Sequence, residues 1–304
     1  MTDRVNDPSA ASDLIAEGAE LERLWTGAIW SEGPVWLPAL GVLRWSDIPN
    51  SRILEFDAST GQTRVHRDDV EFTNGRTLDL NGDVVQCSHG RRAIEREVDG
   101  VPRTVVDRFG EARLNSPNDV VVRSDGSIWF TDPPYGIIQP NEGHPGEREY
   151  GGCFVFRFDE ATGELTPVVT DMQMPNGLAF SPDERVLYVS DTSASHAADG
   201  MHEIRAYDVT GDGCCENGRV FAEVEAGLPD GFRVDEAGRI WTSTRDGVLV
   251  FEPDGALVTS IAVPEVVSNV AFGGADGHDL YITGTTSLYR IRTTARSCVP
   301  WLRG

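Results

Sequence analysis

Short apolar runs alternate with polar turns along nearly the whole chain, and within the runs apolar positions recur with the two-residue period of strands. In residues 42–47, Val42, Arg44 and Ser46 alternate with Leu43, Trp45 and Asp47. In residues 128–131, Ile128 and Phe130 alternate with Trp129 and Thr131. Asn81-Gly82, Asp125-Gly126, Ala237-Gly238 and Asp276-Gly277 fall between runs, where glycine supplies the positive φ of tight hairpins. A helical apolar stripe is found only as the weak LIAEGAELERL near the start.

One larger pattern recurs: a polar residue, often followed by Gly, an apolar strand, a turn rich in Asp and Gly, and a second apolar strand. Its copies begin at Glu32, Asn74, Asn118, Asn176, Asp230 and Asn269, with spacings of 42, 44, 58, 54 and 39 residues. Further strands follow inside the units, as in RILEFDAST (52–60), CFVFRFDEATG (153–163) and SLYRIRTT (287–294). Six such units predict an all-β fold, a six-bladed β-propeller with four-stranded antiparallel blades, in which repetition around a ring protects the sheet edges. The last unit holds three strands, so ELERLWTG (20–27) is expected to supply its fourth and lock the ring. The expected organisation is an N-terminal tail over 1–19 and one propeller domain over 20–304.

In a propeller the first strand of each blade lines the central channel, so the six residues that open the units converge on the axis. One such residue alone would ordinarily cap a turn. Six at matching positions instead predict a central metal channel. Two carboxylates and four amides are hard oxygen donors, a set that suits Ca²⁺ or a similarly hard divalent ion. The second strand of a blade returns to the same face, and the expected ends are Asp47, His89, Asp132 and Asp191. Asp132 and Asp191 are expected to stand behind the ligands and orient them. His89 is the histidine best placed for proton transfer or substrate contact. Insertions at 136–152 and 192–202 follow second-strand ends and are expected to shape a pocket over the metal.

A net charge of −23 argues against nucleic acid and against an anionic membrane surface. Every basic side chain apart from histidine is Arg, and without lysine neither Schiff-base chemistry nor P-loop phosphate transfer is available. The five cysteines include no C-x-x-C, so neither a disulfide framework nor a thiolate zinc site follows from their spacing. The first twenty residues are acidic and lack an apolar core, and no apolar run approaches the roughly 18 residues of a membrane span, so a cytoplasmic location is expected. Serine-hydrolase, zincin and Rossmann motifs are absent from the sequence.

Four stretches carry a resemblance: SEGPVW (31–36), RLNSPNDVVVRSDGSIWFTDPPYG (113–136), MPNGLAFSPDERVLYVSD (174–191) and PDGFRVDEAGRIWTS (229–243). In order along most of the chain, they resemble the SMP-30/gluconolactonase/luciferin-regenerating enzyme family, above all its bacterial gluconolactonase branch. The resemblance implies a six-bladed propeller holding one divalent cation, Ca²⁺ first, with Zn²⁺, Mg²⁺ or Mn²⁺ also open. It implies Glu32, Asn118, Asn176 and Asp230 as metal ligands, and Asn118 and Arg113 in contact with substrate. The implied activity is the opening of a lactone ring, above all a sugar lactone such as glucono-1,5-lactone, by metal polarisation of the carbonyl and attack of water. Asp230 is the expected catalytic residue, whether as base, nucleophile or ligand alone. The expected partner is thus a small-molecule lactone, met by a monomer or homodimer. Relatives with the same ring hydrolyse phosphofluoridates, which leaves a phosphotriesterase-like hydrolase as a second expectation. A non-catalytic propeller that binds a partner protein is the third.

Overall fold

The structure is a computed structural model that describes residues 13–225 and 227–302. Its hairpins assemble into six four-stranded antiparallel sheets, the blades of a six-bladed β-propeller. From the axis outward, blade 1 runs Ser31–Leu37, Val42–Asp47, Arg52–Asp57 and Gln62–Arg67, and blade 2 runs Thr73–Leu78, Val84–Ser88, Ala93–Val98 and Val101–Val106. Blade 3 comprises Val120–Val122, Ile128–Asp132, Phe154–Asp159 and Glu164–Val169. Blade 4 comprises Pro175–Phe180, Val186–Asp191, Glu203–Val209 and Cys215–Glu223. Blade 5 comprises Phe232–Val234, Ile240–Thr244, Gly247–Phe251 and Leu257–Ala262. Blade 6 takes Val267–Gly273, Asp279–Gly284 and Ser287–Arg292 from the end of the chain and Glu22–Thr26 from its beginning, as ELERLWTG was expected to provide.

The core lies between blades. Trp45, Trp129 and Trp241 occupy second strands and are fully buried. Trp129 meets Phe180 of blade 4 edge-on at 5.1 Å, and Trp241 meets Phe272 of blade 6 at 5.5 Å. First and second strands are covered on both faces, whereas outermost strands such as Gln62–Arg67 keep one face in solvent.

Glycine follows four of the six ring residues because the inner strands crowd the axis. A Cβ on Gly33 would lie 2.1 Å from the Asn74 carbonyl oxygen, and one on Gly231 would lie 2.0 Å from Asn269 Cγ. Without side chains at these points, neighbouring blades bond directly: the Gly75 N–H donates to the Asn118 carbonyl at 2.8 Å and Gly177 N–H to the Asp230 carbonyl at 3.2 Å. The ring residues are thereby brought close together.

At the other end of the channel the chain's last described segment crosses the inner strands. The Cys298 N–H donates to the Val234 carbonyl at 3.0 Å and Trp301 Nε1–H to that of Leu78 at 3.1 Å. The expected tail over 1–19 is described only from residue 13; there Leu14 is buried against blades 5 and 6, and Ile15 forms a bridge with Thr293. No helix among the described residues is long and apolar enough to cross a membrane.

Candidate functional site

Strand register decides which side chains reach the channel mouth. The residue preceding the ring position pairs with the last residue of the second strand: Ser31 with Asp47, Thr73 with Ser88, Pro175 with Asp191. Ser88, and not His89, is therefore the counterpart of Asp47 and Asp191. His89 stands one residue further on, level with Ile48 and Thr192. Phe232 pairs with Thr242 as Leu178 pairs with Val189, which puts Arg245 at this same level in blade 5.

The second-strand aspartates hold the main chain that delivers each ring residue. Asp47 accepts from the N–H groups of Ile29 (3.0 Å) and Trp30 (3.4 Å), just ahead of Glu32. Asp132 accepts from Asn115 (2.7 Å) and Ser116 (2.8 Å), just ahead of Asn118, and Asp191 from Gln173 (2.8 Å) and Met174 (3.2 Å), just ahead of Asn176. Asp132 and Asp191 thus fix the main chain two to three residues ahead of Asn118 and Asn176. Burial pushes the Asp132 carboxyl up to about 7, against the hydrogen bond it accepts from Tyr150 OH.

The ring side chains form a relay. Asn74 Nδ2 donates to Asn118 Oδ1 at 2.7 Å, Asn118 Nδ2 to Asn176 Oδ1 at 2.6 Å, and Asn176 Nδ2 to Thr192 Oγ1 at 3.1 Å. On the other side Asn269 Nδ2 donates to Glu32 Oε2 at 3.1 Å. Glu32, Asn74, Asn118, Asn176 and Asp230 share one cavity of about 550 Å³. Trp30 and Ile48 of blade 1 with Val266 and Val267 of blade 6 give it an apolar side. Tyr135, Gln139 and Glu142 from blade 3, Thr192, Ser195 and His196 from blade 4, and Arg245 from blade 5 give it a polar one. Both insertions expected to shape the pocket thus contribute to its wall.

The electrostatics of the floor favour a cation. Burial, reinforced by Asp119, pushes Glu32 up to about 7. Burial, with Glu32, Glu142 and Asp119 around it, holds Asp230 well above the usual carboxylate range. Asn74 Oδ1 is buried and has no hydrogen-bond partner. Two carboxylates whose ionised forms lack sufficient compensation, beside an unsatisfied amide oxygen, form an oxygen-only donor set that a hard divalent ion fits. No group of three or more His, Cys, Asp or Glu suited to a metal occurs among the described residues, so amide oxygens must complete any such shell here.

Two expected contacts lie elsewhere. His89 is fully buried behind Asn74 and Asn118 and is not part of the cavity wall. Its Nδ1–H donates to the Glu142 carbonyl at 3.0 Å, which leaves the Nε2 lone pair 3.3 Å from Asn74 Nδ2. Burial pushes its pKa down to about 4. The structure does not bring Arg113 into the cavity either: it is exposed, and its Nε–H pairs with Glu149 at 2.7 Å. Tyr135, Glu142, Thr192 and Arg245 line the cavity without having been singled out from the sequence. Of these, Glu142 carried a signal in its place within the 136–152 insertion, and its carboxyl is pushed by burial up to about 7.

The profile of the SMP-30/Gluconolactonase/LRE-like region matches residues 30–286. A gluconolactonase of Zymomonas mobilis is 31% identical, over 96% of this chain and 83% of its own. The pentonolactonase XacC of Haloferax volcanii is 33% identical, over 83% of this chain and 80% of its own. Among solved structures, a gluconolactonase of Xanthomonas campestris superposes with a TM-score of 0.87 at 41% identity, covering 95% of this chain and 93% of that one. With a profile match across all six blades and relatives aligned along most of their length, the chain belongs to the SMP-30/gluconolactonase/LRE-like family.

Proposed function

We propose that the protein is a divalent-metal-dependent hydrolase that opens a lactone ring, a sugar lactone such as glucono-1,5-lactone. The observation that carries this reading is the meeting of Glu32, Asn118, Asn176 and Asp230, from four different blades, at one cavity. Lactone hydrolases that align with most of the chain support it. Those four residues would hold the cation, Ca²⁺ by the hardness of the donors. When bound, the cation supplies Lewis acidity toward the carbonyl and offsets the negative charge that develops on its oxygen.

The remaining work falls to side chains of this chain. The apolar side of the cavity suits the C–H face of a sugar ring, and Gln139, Glu142 and Ser195 opposite it suit hydroxyl groups. Asp230 is the proton acceptor in this reading because it is the ring carboxylate partly open to the cavity, whereas Glu32 is buried and engaged by Asn269. Water then forms a bond to the carbonyl carbon, the ring C–O bond breaks, and the proton passes to the departing ring oxygen to give a hydroxy acid. Asn118 contacts the substrate as well as the cation. His89, with its tautomer fixed by the Glu142 carbonyl, is a positioning residue for Asn74 and, through the Asn74 amide, for Asn118.

Chelation tests the proposal. EDTA treatment is expected to lower the turnover of glucono-δ-lactone by about 100-fold or more, and Ca²⁺, Zn²⁺, Mg²⁺ and Mn²⁺ are then added back in turn. Full activity in EDTA would end the metal requirement. Turnover of a phosphotriester but not of lactones would move the site to the phosphotriesterase-like reading, and inactivity on both would favour a binding platform.

A further inference from the structure

We infer that Arg245 is a specificity-determining residue that selects sugar lactones bearing an anionic group, a carboxylate or a phosphate, at the end remote from the ring carbonyl. The inference rests on the lactonase reading and narrows its substrate class. Arg245 follows the second strand of blade 5 at the level where Ile48 and Thr192 face the cavity from blades 1 and 4, and like them it lines the cavity. It is exposed, unlike the buried Glu32, Asn118 and Asn176, which puts it nearer the mouth and toward the far end of a ligand whose carbonyl lies over the floor. It also lies against the loop that carries Asp230: a Cβ on Gly227 would stand 2.7 Å from Arg245 Cβ.

The guanidinium has no carboxylate within ion-pair distance among the described residues, although Glu142 and Asp230 line the same cavity. Elsewhere in the fold Arg113 pairs with Glu149 at 2.7 Å and Arg233 with Asp119 at 3.4 Å, whereas Arg245 has no such partner among the described residues. Burial alone accounts for the raised Glu142 carboxyl, so Arg245 does not compensate it. In a chain of net charge −23, an unpaired Arg on the cavity wall gives the remote anionic group of a substrate a favourable place apart from the ring residues at the floor. The fork of the guanidinium matches two oxygens of a carboxylate or phosphate, a match that neutral hydroxyls do not need.

The metal-supplemented full-length enzyme is assayed on glucono-δ-lactone, on 6-phosphoglucono-δ-lactone and on glucaro-1,4-lactone, the last two separating phosphate from carboxylate. In wild type, kcat/KM for one of the two anionic substrates exceeds that for the neutral lactone. Arg245→Gln lowers this anionic-to-neutral ratio by on the order of 10–100-fold, the loss of one charge-assisted pair, and Arg245→Lys recovers part of it. Arg185→Gln, which removes the same charge at an exposed position, leaves the ratio where it was. Calorimetric binding of 6-phosphogluconate or glucarate weakens by the same factor in Arg245→Gln and falls with rising salt. A ratio at or below one in wild type, or a ratio that Arg245→Gln does not move, overturns the role of Arg245 while lactonase activity stands. No turnover of any lactone by the metal-loaded wild type sinks the lactonase reading itself, and this substrate class with it.

Discussion

Asp230→Asn lowers kcat on glucono-δ-lactone by about 10³-fold, within the range that removal of a positioned proton acceptor produces. The substitution keeps the side-chain shape. The frame around it does not depend on the carboxylate: the Asp230 backbone N–H donates to Ser243 Oγ at 3.0 Å, and its carbonyl accepts from Gly177 N–H at 3.2 Å and Ser190 Oγ at 2.7 Å. The fold therefore persists. In EDTA the variant melts a few degrees above the wild type, because a carboxyl whose ionised form is disfavoured first by burial and then by its acidic neighbours has been replaced by a neutral amide. A lytic function with Asp230 as acceptor thus predicts opposite signs for activity and for metal-free stability. Glu32→Gln behaves differently: it raises the metal concentration needed for half-maximal activity, since Glu32 is engaged by Asn269 and directed at the floor. Steady-state kinetics at several metal concentrations, with thermal melts in EDTA, measure all of this. Turnover of Asp230→Asn within about tenfold of wild type removes Asp230 from proton transfer.

The ring was legible because it repeats. Glu32, Asn74, Asn118, Asn176, Asp230 and Asn269 open units whose strands and turns recur, and a closed ring leaves one place for such residues to meet. The closing strand was legible from the missing member of the last unit. What repetition does not determine stayed hidden or was marked only by an insertion. Tyr135, Glu142 and Arg245 stand beyond second strands, in segments whose path is set by tertiary contacts and not by strand period, and of the three only Glu142 lies in an insertion expected to shape the pocket. His89 shows the limit on a finer scale: its level depends on a pairing register, Thr73 with Ser88, that a one-residue slip would change. Arg113 was drawn toward the substrate by resemblance alone. Its side chain goes to Glu149, a partner 36 residues away in the blade 3 insertion that no local pattern announces.

Deletion of residues 1–27 is expected to destroy the cooperative fold, although none of the described residues among them lines the cavity. Glu22–Thr26 pairs with Ser287–Arg292 and so joins the end of the chain to its beginning. Trp25 packs edge-on against Trp45 of blade 1 at 5.7 Å, and Glu22 pairs with Arg290 at 2.8 Å. Leu14 adds a buried side chain between blades 5 and 6, on the order of 1.5–3 kcal/mol by itself. The deletion exposes the edge of Ser287–Arg292 and frees blade 6 from blade 1, and a propeller opened at one point loses the closure that fixes its axis. Losses of this kind exceed the total stability of many domains. The truncated protein should therefore be insoluble or melt without cooperativity. A synthetic peptide of residues 13–28, added in trans, should restore a cooperative transition and cavity-dependent activity, because the strand is held by ladder hydrogen bonds and packing. A truncated protein that melts within about 2 °C of the full chain would show that the six blades close without it.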